Sequence, residues 1–217
     1  MDQQNKISIL HPSYGRPDLA METYGDWTGN ANEVHEYILC LSVKDPLLND
    51  YKRIFKEHET RNWIKLIYSP HASMIEQVNL AASHSKGNLL INTSDDFRTP
   101  LNWDTRLLEA LAGKEDYIVK TQDGIQPFIH TLPMMDRKYY NRFGYIYHPD
   151  YKHFFGDEEI AVIGNMLNKT ITLDILFPHQ HYTVGGMKRD ATNVKNDANF
   201  EIDRRTYISR HNKNFGL

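Results

Sequence analysis

The chain has 217 residues, 40% of them hydrophobic, with 25 Lys or Arg against 28 Asp or Glu for a formal charge of -3. That length and apolar content suit one α/β domain with its own core, and the near balance of charge removes any electrostatic argument for wrapping nucleic acid or coating an anionic membrane. The lone cysteine, Cys40, excludes an intramolecular disulfide, and the polar start MDQQNK followed by only ISIL is too short an apolar stretch for a signal peptide or a span, so the expected location is the cytoplasm.

Four β-prone runs occupy the first half: KISIL (6–10), EYILCLSV (36–43), WIKLIY (63–68) and NLLIN (88–92). Each leads through polar or proline-containing residues into a helical pattern. Pro17 suits the first position of a helix over Asp18 to Trp27. Ser73 to Glu76 reads S-x-x-E, a capping box, with Ile75, Val78 and Ala82 on one face and Gly87 as the stop. Thr99 and Pro100 read as the cap and first turn of a helix whose buried stripe is Trp103, Leu107 and Leu111. Farther along, Tyr117 to Lys120 is expected as a strand, TLPMMDRKYYNRFG as a short helix ending at Gly144, and KTITLDILF (169–177) as a β-rich run. Residues 188–213 carry seven Lys or Arg against four Asp or Glu and read as a solvated tail. Alternating strands and helices predict βαβ units and a mostly parallel sheet. Ligands of such sheets bind beyond the carboxyl ends of the strands, so HPSYGRP, KDP, SPHAS and TSDDF are expected along one edge.

Asp95 and Asp96 follow the fourth strand directly. Adjacent carboxylates repel, and a hard divalent cation with a phosphate in its shell resolves that repulsion; a helix cap beside an exposed acid is the plainer reading. HPSYGRPD (11–18) offers the Ser13 hydroxyl, the Tyr14 ring, a flexible Gly15 and the Arg16 cation, a set suited to a nucleotide, although it matches neither a P-loop nor a dinucleotide glycine pattern. In FFGDEEI (154–160) three carboxylates follow two aromatics and a glycine. One of them at the edge of an apolar pocket would serve as a base on a hydroxyl, whereas a solvated first helical turn would have no such role. FPHQHY sets His179 and His181 two apart, on one side of an extended strand, with one of the two expected as a ligand for Mn or Mg.

In this order the motifs resemble GT-A fold glycosyltransferases of the family 2 type, over most of residues 6–163. ILHPSYGRP is similar to their opening nucleotide-binding strand and loop, Asp45 in SVKDP stands where their second strand delivers an acid, and SMIEQVNLAASHSKGNLLINTSDDF resembles the run into their metal motif. FRTPLNWDTRLLEAL continues the match, and FFGDEEI resembles their acceptor-side carboxylate motif. The resemblance implies a single GT-A (Rossmann-like) domain over 1–217, with a mostly parallel central sheet flanked by helices, residues 1–100 holding the donor and 101–217 the acceptor. It implies Mn²⁺ or Mg²⁺ at Asp95, Asp96 and a histidine (His179 or His181), and donor contacts from Pro12, Ser13, Tyr14, Arg16, Asp45, Asn79, Ser94 and Asp95. Lys188 or Arg189 would join Arg16 on the diphosphate. Asp157 would be the base of an inverting transfer, with Glu158 second. The donor is a nucleoside diphosphate sugar, by default a UDP-sugar of the hexosyltransferase type, and the acceptor a hydroxyl on a glycan, a small molecule or a modified nucleobase. Departures from the pattern are Thr93 where an acid is common, Gly15 for a frequent Asn, and Asp157-Glu158 in place of Glu-Asp. Two rivals are a nucleotidyltransferase, for which the first loop lacks the expected lysine, and a binding module without turnover.

Overall fold

The computed structural model describes residues 6–217. Seven strands run β1 Ile7–Ser13, β2 Glu36–Ser42, β3 Ile64–Ser69, β4 Leu89–Asn92, β5 Ile118–Gln122, β6 Met134–Asp136 and β7 Thr170–Leu176. They are interleaved with helices α1 Pro17–Gly29, α2 Leu48–Phe55, α3 Met74–Ser83, α4 Trp103–Leu111, α5 Arg137–Phe143, α6 Gly156–Met166, α7 Ala191–Asp197 and α8 Phe200–His211. One sheet results, ordered β3-β2-β1-β4-β6-β5-β7, parallel throughout except for β6, which is antiparallel to both neighbours. Among the described residues no helix is long and apolar enough to cross a membrane.

The central strands are buried on both faces, as parallel strands between helices must be. Alternation then divides their side chains between two cores. Ile7 and Ile9 of β1, with Tyr37, Leu39 and Leu41 of β2, join Trp27, Phe55 and Trp103 on one face. Leu10, Ile38 and Cys40 join Ile75, Val78 and Tyr139 on the other. Strand order reverses between β1 and β4, and in open sheets that reversal opens a crevice at the carboxyl ends. Ser13 and Asn92 end the two strands there, so the loops beginning at Tyr14 and Thr93 share it.

Four local expectations are corrected. The first strand continues through His11-Pro12-Ser13, because Pro12, which lacks an N–H, is tolerated in a register that still pairs His11 with Leu39 and Ser13 with Leu41. Met134–Asp136, read as helical, is a strand that fills the gap between β4 and β5; only then does Asp136 cap α5, accepting from the Tyr139 N–H, and Gly144 end it. Thr99 does not cap α4, which starts at Trp103; its N–H and hydroxyl both donate to Asp26 Oδ2, at 2.7 and 2.8 Å, at the end of α1. The supposed tail forms α7 and α8, and Asp203 of α8, fully buried, accepts the N–H groups of Lys152, His153 and Phe154, each at 2.8 Å.

Gly87 lies past the end of α3, which stops at Ser83, and its N–H donates to Ser8 Oγ at 2.8 Å. A Cβ there would stand 2.6 Å from the Ser8 backbone nitrogen, so the absence of a side chain is what lets the chain enter β4 against β1. Gly87→Ala is expected to cost about 1–3 kcal/mol through overpacking, read as a lower urea midpoint at unchanged m-value.

Candidate active site

The turn after β4 places two neighbouring carboxylates in opposite settings. Asp95 points inward. Its Oδ1 accepts from His11 Nε2 at 2.9 Å and from the Ser13 hydroxyl at 2.8 Å, both side chains on β1. With Nε2 donating, His11 Nδ1 accepts the Tyr37 hydroxyl at 2.6 Å, and with Ser13 donating, its oxygen accepts from Tyr51 at 2.6 Å. Tyr51 in turn accepts the Arg16 N–H at 2.8 Å, so a buried relay runs from the first loop to the corner. Burial, with the Asp95 charge added to it, pushes the phenols of Tyr37 and Tyr51 well up and keeps them neutral donors. The Asp95 carbonyl is also held, by the Thr23 hydroxyl at 2.7 Å and by Arg98 at 3.0 Å.

Asp96 points outward to a different element. Its Oδ2 lies 3.3 Å from His179 Nε2, and its Oδ1 accepts the Ser94 hydroxyl. The segment after β7 runs alongside the turn: Gln180 donates its N–H to the Asp96 carbonyl at 2.7 Å, and the His179 ring stacks on Phe97 with centroids 4.2 Å apart. Burial alone would push His179 down, but Asp123 and Asp96 outweigh it and raise the imidazole to about 9. Against its own burial, the carboxyl of Asp96 is held well below the usual range by His179 and Ser94. His181 does not share this role. Its Nδ1 sits 2.8 Å from the Thr183 hydroxyl, capping a short turn over Tyr182–Val184.

Asp96 and His179 fit a divalent cation of the Mn²⁺ or Mg²⁺ kind. Cis ligands on an octahedral ion at about 2.1 Å stand about 3 Å apart, close to the separation of Oδ2 and Nε2, and one carboxylate with one imidazole suits such ions when phosphate and water complete the shell. Among the described residues no three His, Cys, Asp or Glu side chains converge to hold a metal unaided, so the remaining positions fall to a ligand or solvent.

The first loop is in place but occupied. Gly15, at φ +70°, makes the left-handed turn between β1 and α1, and its N–H donates to Asp45 Oδ2 at 2.7 Å while Leu47 N–H donates to Oδ1 at 2.8 Å. Asp45 therefore braces this loop with both oxygens. Arg16 forms a two-pronged pair with Asp190, Nε to Oδ2 at 2.7 Å and Nη2 to Oδ1 at 2.9 Å, and Asp190 is the N-cap of α7. The same helix sends the Thr192 hydroxyl to the Tyr14 carbonyl at 3.0 Å and sets Lys195 Nζ 3.3 Å from the centre of the Tyr14 ring. The space left between Pro12, Tyr14, Asp95 and α7 is about 70 Å³, room for a few waters only.

Asn79 is not in this crevice. Its amide accepts the N–H groups of Ile146 and Tyr147 and donates to the Tyr147 carbonyl at 2.7 Å, a latch between α3 and the loop before α6; the expected donor contact is corrected on that ground. Lys188 is exposed, and Arg189 pairs with Asp197. At the start of α6 the three acids divide. Glu159 is buried and fixed by Tyr151 at 2.7 Å and by both prongs of Arg210, whereas Asp157 has no cation partner. Burial and the neighbouring Glu158 push Asp157 up to about 6, with the His179 charge acting the other way. Missing from the sequence reading are His11 and Asp123. His11 lies within HPSYGRP, beyond the apolar run 6–10, and Asp123 has no motif around it.

Neither a protein-family model nor a curated protein matches the chain in sequence. Solved structures match it in shape. The mannosyltransferase PcManGT from Pyrobaculum calidifontis, in complex with GDP-Man and Mn²⁺, gives a TM-score of 0.65 at 15% identity, covering 82% of this chain and 58% of that one. Residues 1–349 of TarS from S. aureus give 0.67 at 10% identity, covering 81% and 60%. GalNAc-T7 with UDP, GalNAc and Mn²⁺ gives 0.65 at 14% identity, covering 80% and 43%. The fold is thus the GT-A fold of glycosyltransferases, in a chain that spans about half the length of these neighbours.

Because Asp95 is the acceptor for two buried donors, Asp95→Ala is expected to cost about 2 kcal/mol or more by leaving His11 and Ser13 unpaired. Urea unfolding without any metal or nucleotide measures it; a midpoint equal to that of the unaltered chain would remove the relay from the account.

Proposed function

We propose that the chain is a metal-dependent glycosyltransferase that moves a sugar from a nucleoside diphosphate sugar to an acceptor hydroxyl with inversion at the anomeric carbon. The observation that carries this reading is Asp96 facing His179 at 3.3 Å, at the reversal point of a GT-A sheet and beside a nucleotide-type loop. Asp96 and His179 hold the cation, which when bound supplies positive charge beside the departing diphosphate. Asp95, expected as a metal ligand, is assigned instead as the anchor of that corner through His11 and Ser13, and Ser94 orients Asp96. UDP is favoured as donor nucleotide, on the support of neighbours solved with UDP and UDP-GlcNAc, against one solved with GDP-Man.

Arg16 and Tyr14 bind the donor from the first loop: the guanidinium takes phosphate oxygens two at a time, and the ring offers a face to the base. Asp157 takes the acceptor proton as the hydroxyl attacks. A carboxyl at about 6 is a stronger base than an ordinary aspartate and still ionised at neutral pH, and its only charged neighbour on the same turn with a free carboxylate is Glu158. Residues 1–100 thus serve the donor and the later elements serve the acceptor, with His179 as the exception that crosses over.

Three outcomes are expected. With Mn²⁺ and a panel of sugar nucleotides the protein releases nucleoside diphosphate, which a binding module would not do. Asp96→Asn abolishes metal-dependent nucleotide binding, read by thermal shift, while Asp157→Asn spares binding and stops transfer. Because the base must be unprotonated, the rate of the unaltered enzyme falls as pH drops below about 6; full transfer by Asp157→Asn would sink that assignment.

Donor entry requires α7 to give up Arg16 and Tyr14. Asp190→Asn keeps the helix cap and removes the charge, so UDP binding by titration calorimetry is expected to tighten about fivefold, the equivalent of about 1 kcal/mol for a partly exposed pair.

A further inference from the structure

The two ring nitrogens of His179 face two different carboxylates. Nε2 looks to Asp96, and Nδ1 stands 3.7 Å from Asp123 Oδ2 with no hydrogen-bond partner among the described residues. Asp123 follows β5 and holds the histidine a second time through its backbone, its carbonyl accepting the His179 N–H at 3.0 Å. It is 4% exposed, and its own geometry is fixed: Oδ1 accepts the N–H groups of Ile125 and Gln126 at 2.7 and 2.6 Å, and Oδ2 accepts the Thr131 hydroxyl at 2.6 Å. Phe97, stacked 15° from parallel with the imidazole, closes one face. The ring is therefore held in its plane by Phe97, with a carboxylate facing either nitrogen at 3.3 and 3.7 Å.

We infer that Asp123 is a positioning residue for the cation site: it fixes the His179 tautomer that carries hydrogen on Nδ1 and so presents the Nε2 lone pair beside Asp96. A metal-binding imidazole is neutral, with its one hydrogen on the nitrogen away from the ion. A carboxylate at that nitrogen selects the required tautomer, orients the ring and makes the ligating nitrogen a better donor. Among the described residues Nδ1 has no hydrogen-bond partner, and Asp123 is the carboxylate that faces it. The inference rests on the cation site of the proposed function, and its test separates the two.

The probe is Mn²⁺ in the presence of UDP, followed by loss of the free-ion signal in electron paramagnetic resonance. Asp123→Asn keeps an acceptor for the Ile125 and Gln126 N–H groups and removes the charge; the expected result is Mn²⁺ affinity weaker by about 10- to 100-fold. Thr131→Val disturbs the same loop and keeps the charge, so its Mn²⁺ affinity should stay within about twofold of the unaltered protein. Equal affinity for Asp123→Asn and the unaltered protein overturns the role of Asp123, as does an equal loss in both variants, which would mark a purely structural effect of the loop. An unaltered protein that binds no Mn²⁺ overturns the cation site itself and the inference with it. A measurement that needs no variant is the ¹⁵N spectrum of the imidazoles with Mg²⁺ and UDP: His179 protonated at Nδ1 supports the assignment, and protonation at Nε2 overturns it.

Discussion

The site depends on a peptide geometry that sends two neighbouring carboxylates in opposite directions. Side by side in water Asp95 and Asp96 would only repel; here one is spent on His11 and Ser13 inside the sheet and the other is left for His179 at its rim. Separation relieves the repulsion and gives the two carboxylates different partners. Oδ1 of the buried member accepts from two donors on β1, so the turn cannot rotate without leaving His11 and Ser13 unpaired, a cost of about 1–3 kcal/mol for each. That rigidity would serve the cation role proposed for the outer member, because a carboxylate on a fixed turn loses less conformational freedom on binding an ion.

The same corner is built from distant parts of the chain. The turn comes from β4, its buried anchor from β1, and its histidine from the segment after β7, which lies against it through the Phe97–His179 bridge and the Gln180 to Asp96 hydrogen bond. The last elements brace both halves of the crevice. Asp190 at the start of α7 holds Arg16 of the first loop; Asp203 of α8 holds the backbone that leads into α6; and Arg210 fixes Glu159, leaving Asp157 and Glu158 as the acids on that turn without an ion pair among the described residues. A segment that composition describes as polar and charged thus acts through specific acceptors and donors, each satisfied by the partner it meets.

What the sequence made legible follows from which signals are local. The four apolar runs of the first half, their alternation with helices, and the edge on which the loops gather are all consequences of periodicity and of sheet handedness, and they are present in the structure. Met134–Asp136 was hidden because its three residues form a strand only by filling a slot between β4 and β5, a tertiary demand that overrides a helix-like neighbourhood. Asn79 looked like a donor contact from its place in a resembling segment, yet its amide is taken up by the backbone at Ile146 and Tyr147. Asp123 carries no motif at all; its meaning lies in a nitrogen more than fifty residues away in sequence, which pairing of β5 with β7 brings beside it.

The crevice that results is complete and closed at once. The Arg16 backbone is tied to the relay through Tyr51 and Ser13, while a carboxylate and an ammonium of the chain itself sit on the Arg16 and Tyr14 side chains. A diphosphate presents to Arg16 the same pair of oxygens that Asp190 does, with more charge, and a base presents to Tyr14 a flat face where Lys195 presents a point charge. What covers Arg16 and Tyr14 is α7, a seven-residue helix that follows two glycines at 185 and 186. None of the hydrogen bonds of Asp95, Asp96 and His179 runs to α7. The first loop and the Asp95 corner remain coupled through the buried relay of Tyr51 and Ser13, which does not involve α7.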